Sequence, residues 1–143
     1  MTGDSGKIKK EALGHFGKTQ QVFLATLEGG QPRVRPVTML QIDGRFWVLT
    51  GTGDAKSEQI RENPEMEFCF LIKQGEHTGY VRGSGSAKIV KGAILKKDIA
   101  KQCDYFYDHW KSPEDPNYAL IELRPENIEY MRPTEMKARK FKL

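Results

Sequence analysis

The chain has 143 residues, 38% hydrophobic and 29% charged, which suits one domain of ordinary size with its own core and excludes global disorder. Mean hydropathy is −0.62 and no apolar run approaches the roughly 18 residues that cross a bilayer, so a membrane-spanning helix is excluded; nor do the first twenty residues hold the apolar centre of a signal peptide, and a cytoplasmic location is expected. The 23 Lys+Arg against 19 Asp+Glu leave a net +4, mild evidence for nucleic acid at best, and much of the excess lies in KARKFKL at residues 137–143.

A helix is predicted over Lys7–Phe16, with Ile8, Ala12, Leu13 and Phe16 on one side. VFLATL and RVRPVTML then flank Glu28-Gly29-Gly30, and VTMLQI and RFWVLT flank Asp43-Gly44, whose residue types accept the positive backbone angles of a tight hairpin. Residues 21–50 therefore form a three-stranded meander. A short helix over Ala55–Glu62 is capped by Asp54 and stopped at Asn63-Pro64, because the residue before a proline resists the helical conformation. Strands over Glu65–Lys73 and Thr78–Val90 meet at Gln74-Gly75-Glu76, and Met66, Phe68, Phe70 and Ile72 alternate along the first. Leu95, Ile99, Cys103, Phe106 and Trp110 make an apolar stripe that predicts a helix over about Gly92–Trp110. A final strand runs over Tyr118–Leu123, with a continuation beyond Arg124-Pro125 through Ile128–Met131.

Six strands joined mostly by tight turns predict a mainly β fold with flanking helices, a closed or half-closed antiparallel barrel. The domain covers residues 1–132 and a basic tail covers 133–143. Cys69 and Cys103 have no disulfide or zinc spacing and are expected as buried thiols. His15, His77 and His109 are too scattered to ligate a metal and are expected to be structural or exposed.

Two segments carry the charge pattern of an anion site. Arg33 and Arg35 share one strand face about 7 Å apart, where two guanidiniums either bracket an anion or lie in solvent among surface salt bridges; spacing alone leaves both readings open. Thr50-Gly51-Thr52-Gly53-Asp54-Ala55-Lys56-Ser57 leaves a strand, turns, and enters a helix, placing Lys56 against the helix dipole where a bound anion would compensate it. A surface lysine on a capped helix is the alternative. The glycines fit neither a Walker A loop nor a dinucleotide fingerprint. Because a hairpin joins the two segments, Arg35 and Lys56 are expected to converge on one phosphate.

QPRVRPVTMLQIDGRFWVLTGTGDAKSEQIRENPEMEFCF, YVRGSGSAKIV and YALIELRPENIEYM together resemble the pyridoxamine-phosphate-oxidase-like FMN-binding split barrels, most closely their general-stress-protein branch, over roughly residues 8–132. The resemblance implies a six-stranded split barrel, an FMN cofactor and a homodimer with flavin between the subunits. It assigns the FMN phosphate to Arg35, in the Arg-Pro strand with Pro36, and to Lys56; the ring and ribityl chain to Val37, Thr38, Thr50 and Gly51; and a motif position to Gln59. Arg33 falls where the family varies. Ala55 stands where a basic residue commonly precedes the helix lysine, and Met131 stands where full pyridoxamine-phosphate oxidases often carry Trp, which argues against vitamin B6 oxidation. The implied activity is electron or hydride transfer between reduced nicotinamide and a small acceptor, without a catalytic side chain and without nucleic-acid or membrane partners. The alternatives are a non-catalytic flavin-binding stress module, a deazaflavin or haem barrel, and nucleic-acid binding through KARKFKL.

Overall fold

A computed structural model of the chain describes residues 2–143, with side chains from residue 6 onward. Helix α1 (Thr2–Gly14) precedes strands β1 (Thr19–Glu28), β2 (Gln31–Ile42) and β3 (Arg45–Gly51). Helix α2 (Ala55–Glu62), strands β4 (Glu65–Gln74) and β5 (His77–Val90), helix α3 (Ala93–Lys101), and strands β6 (Tyr118–Met131) and β7 (Ala138–Lys142) follow. The hairpins form where the turn residues permit them: Asp43 and Gly44 both take positive φ, at 53° and 74°, the pair of angles that matches a two-residue turn to the strand twist.

Every pairing is antiparallel, in the order β3-β2-β1-β4-β5-β6-β7, and a further β3–β6 pairing closes six of the strands into a ring. The ring is unevenly sewn. β5 and β6 pair along almost their whole length, whereas β1–β4 and β2–β3 each meet over three residue pairs. This is the half-closed antiparallel barrel expected from the strand pattern, in the split form that the resemblance implies.

Alternation along the strands fills the barrel. Val22, Leu24, Met39, Val48, Phe68, Val81, Ile121 and Ile128 point inward, and Ala12 of α1 and Phe16 just beyond it join the same core. Phe68 lies directly opposite Gly83, where an added Cβ would approach its ring to 2.4 Å, so the glycine makes room for the phenyl. β3 is buried on both faces. Its Trp47 and Leu49 join Leu40, Ile99, Phe106, Tyr118 and Leu120 in a second core between the barrel wall and α3.

Two expected elements are corrected. The predicted helix over Gly92–Trp110 ends at Lys101 and is followed by a single 3-10 turn at Phe106–Asp108. Residues 103–110 are Cys-Asp-Tyr-Phe-Tyr-Asp-His-Trp, all weak helix formers, so packing decides the backbone there. The stripe nevertheless buries as a unit: Leu95, Ile99, Cys103, Phe106 and Trp110 all contact the second core. Strand β6 does continue beyond Arg124-Pro125 to Met131, as expected, the irregularity being a bulge opposite Ser84 and Gly85 that accommodates a residue with no N–H to donate. The segment read as a basic tail contains a seventh strand, β7, paired with Asn127–Met131. Of the two thiols, Cys103 is buried and Cys69 half-buried.

Candidate functional site

At the C-terminal end of β3 the chain turns sharply into α2. Asp54 N–H bonds the Gly51 carbonyl at 3.1 Å, and the buried Ser57 hydroxyl donates to the same oxygen at 3.2 Å, so Gly51 is pinned between strand and helix. Thr52 ties the turn to the segment before β6: its N–H donates to Asn117 O at 2.9 Å and its hydroxyl to Pro116 O at 2.7 Å. Asp54 is the N-cap, accepting from Lys56 N–H at 3.1 Å and pairing with Lys56 Nζ at 2.9 Å. Burial raises the Asp54 carboxyl, but its bonds to the Lys56 side chain and backbone outweigh that and leave it below the ordinary value. The Lys56 side chain itself is almost wholly buried.

Arg35 reaches this helix from β2. Its Nη1 donates to Leu24 O at 3.2 Å and to Thr26 Oγ1 at 2.7 Å, and its Nη2 donates to Gln59 Oε1 at 2.8 Å. The Thr26 hydroxyl in turn donates to Gln59 Oε1 at 2.5 Å, a buried bond that closes a triangle of Thr26, Gln59 and the half-buried Arg35. Three bonds use three of the five guanidinium N–H groups, which leaves Nε–H and one Nη2–H, the two edges of a fork, free among the described residues.

Every other arginine of the chain meets a carboxylate: Arg33, Arg45, Arg61, Arg82, Arg124, Arg132 and Arg139 all form ion pairs within 4 Å. Among the described residues Arg35 alone has none. Burial lowers its pKa, and the field of the Asp54 carboxylate partly opposes that. Gln59 stands one turn from Lys56 on the same face of α2, so Arg35 and Lys56 do converge, with Asp54 in electrostatic reach of both. Two cations against one carboxylate leave a net positive charge at a site built to hold its guanidinium still.

The remaining candidates divide. Val37 points into the barrel with Met39, and Thr50 is buried at the β3 end opposite Ala119. Pro36 and Thr38 lie on the opposite, outer face of β2, where Pro36 faces Phe23 and the Thr38 hydroxyl accepts from Gln21 Nε2 at 2.7 Å. Arg33 is drawn off to Glu28 at 2.8 Å, the surface salt bridge left open as an alternative. Thr26 was not anticipated. The signal for it is weak but real: in VFLATL the inward positions read Val22, Leu24, Thr26, and a hydroxyl at the end of an apolar series needs a buried partner.

The sequence profile of the Pyridoxamine 5'-phosphate oxidase family matches residues 8–132. General stress protein 26 of Bacillus subtilis (strain 168) is 28% identical over 130 residues, covering 90% of this chain and 91% of that protein. Among solved structures, a nimC/nimA family protein from Clostridium acetobutylicum superposes with TM-score 0.77 at 21% identity, covering 94% of this chain and 91% of its own. General Stress Protein 26 from Bacillus anthracis str. Sterne gives 0.74 at 24% identity, covering 95% and 98%. A heme binding protein from Mycobacterium smegmatis gives 0.72 at 15% identity, covering 87% of this chain and 53% of that one. With a profile match over most of its length, carried on a split barrel, the chain belongs to the pyridoxamine 5'-phosphate oxidase family.

Proposed function

We propose that the protein binds FMN and passes electrons or hydride between reduced nicotinamide and a small acceptor. The observation that carries the reading is Arg35: a guanidinium immobilised by three neutral acceptors and, among the described residues, with no carboxylate and with two N–H edges to spare. A fork in that state suits the oxygens of a phosphate monoester. Lys56 adds a second charge from α2, and Asp54 holds the lysine in place through the cap. Gln59 and Thr26 fix the plane of the guanidinium rather than touching the ligand. The buried Thr50 and the pinned Gly51 border the same end of β3 and would line the ribityl chain and ring. Bound there, FMN supplies reversible hydride and electron chemistry, and no side-chain acid or base is required of the chain.

A second subunit completes the site in this reading. The outer face of β1, β2 and β4 carries Phe23, Val34 and Leu71, each about half exposed or more, with Pro36 beside Phe23. Pairing two such faces buries the apolar residues and builds a cleft.

The test is an absorbance spectrum of the purified protein, followed by FMN titration of stripped protein. Flavin bands, and flavin released on denaturation, are expected. Haem bands, or no FMN binding at micromolar concentration, would overturn the assignment.

A further inference from the structure

A groove of about 570 Å³ opens on the outer face of β3, β6 and β5, at the opposite end of β3 from Gly51. Arg45, Lys88, Lys91 and Arg124 line it around one carboxylate, Glu122. The register explains the clustering: Lys88 on β5 lies opposite Glu122 on β6, which lies opposite Trp47 on β3, with Arg45 and Arg124 each two residues along.

Glu122 is buried and held by both guanidiniums, at 2.8 Å from Arg45 Nε and 2.9 Å from Arg124 Nη2. Burial raises its carboxyl, yet those bonds keep it below its ordinary value and therefore charged. Arg45 is fixed a second time, stacked over the Trp47 ring at 4.7 Å. Among the described residues neither Lys88 nor Lys91 forms an ion pair, so four cations face one carboxylate that two of them already share. Like charges crowded on neighbouring strands cost stability unless a ligand offsets them.

We infer that this groove is a second anion site, which takes a nucleotide-sized ligand carrying at least two linked phosphates. Width selects the class. Arg45 and Lys88 sit two strand spacings and two residues apart, about 12 Å at the backbone, a span that a di- or triphosphate fills better than a single phosphate. Val90 and Leu95 add an apolar wall for a base or ring. The inference stands apart from the flavin reading, because the two sites lie at opposite ends of β3, six residue steps or about 20 Å apart.

Calorimetric titration with ADP, and separately with tripolyphosphate, tests it on the full chain. Saturable binding of both is expected, weakening with salt and falling by about tenfold or more in Lys88→Glu/Lys91→Glu, while FMN affinity stays unchanged in that variant. Arg35→Ala should leave ADP binding intact. The inference is overturned if ADP shows no saturable binding at millimolar concentration or if the double variant binds it as the parent does. It is equally overturned if Arg35→Ala abolishes binding, which would place the nucleotide in the flavin site, or if an oligothymidylate binds more tightly than ADP, which would make the groove a nucleic-acid surface.

Discussion

Arg35 differs from its neighbour Arg33 by what each can reach. Arg33 stands near the hairpin and finds Glu28, whereas Arg35, two residues on, meets a carbonyl, a hydroxyl and an amide, all neutral. A charge-assisted bond to phosphate contributes about 1.5–3 kcal/mol, so Arg35→Ala or Lys56→Ala should weaken FMN binding by roughly 10- to 150-fold in a fluorescence titration. Unchanged affinity in both variants would remove the phosphate assignment. Thr26→Val probes the support beneath the fork. It deletes a donor to Gln59 and an acceptor from Arg35 in one step, and should cost about 1–2 kcal/mol in urea denaturation together with a measurable loss of FMN affinity. A variant with lower stability but parental affinity would show that the triangle holds the fold and does not orient the guanidinium.

Among the elements, α1 is fastened by charge as well as by the packing of Ala12 and the following Phe16. Glu11 accepts two bonds from Arg132, at 2.8 and 3.0 Å, and another from the Tyr130 hydroxyl, which also bonds His15 Nε2 at 3.1 Å. Arg132 first and Tyr130 second draw the Glu11 carboxyl from its ordinary 4.5 down to about 2. A carboxyl whose folded pKa lies below its unfolded one stabilises the fold fully above about pH 4.5, and that contribution fades as the pH falls toward 2. Glu11→Gln should therefore flatten the acid limb of the stability profile between those values, followed by circular dichroism. The effect is trimmed by solvent, since the Glu11 side chain is 41% exposed. An acid limb identical to the parent's would mean that Ala12 and Phe16 hold the helix without the ion pair.

For the whole molecule the decisive feature is the outer face of β1, β2 and β4, where Phe23, Val34 and Leu71 remain exposed in the single chain. Phe23→Glu/Leu71→Glu places two charges in that face while leaving the inward residues untouched. Under the proposed pairing, sedimentation should show a shift from dimer to monomer, with FMN affinity falling in parallel as the proposed cleft loses its second wall. A monomeric parent, or a charged variant that still pairs and binds as before, would detach the flavin site from any subunit interface.

Much of this molecule was written in local chemistry. Asp43-Gly44, Asn63-Pro64 and the alternation of Met66, Phe68 and Phe70 act within a few residues of themselves, and hairpin, helix stop and buried face appear where those residues stand. Arg35 and Lys56 were likewise legible, because a hairpin and a short helix separate them by little sequence distance, while Gln59 was named only through the family resemblance. What the linear order withheld depends on partners far along the chain. The stripe from Leu95 to Trp110 spoke for burial but could not choose between a continuous helix and a broken one, a choice made by contacts with Phe106 and Tyr118. The strand at Ala138–Lys142 exists because β6 runs past its pairing with β3 and leaves an open edge. The partners of the arginines divide by reach: Arg33 finds Glu28 across its own hairpin, five residues away, whereas only the tertiary fold sets Arg35 against Gln59 of α2, with no carboxylate paired to it among the described residues.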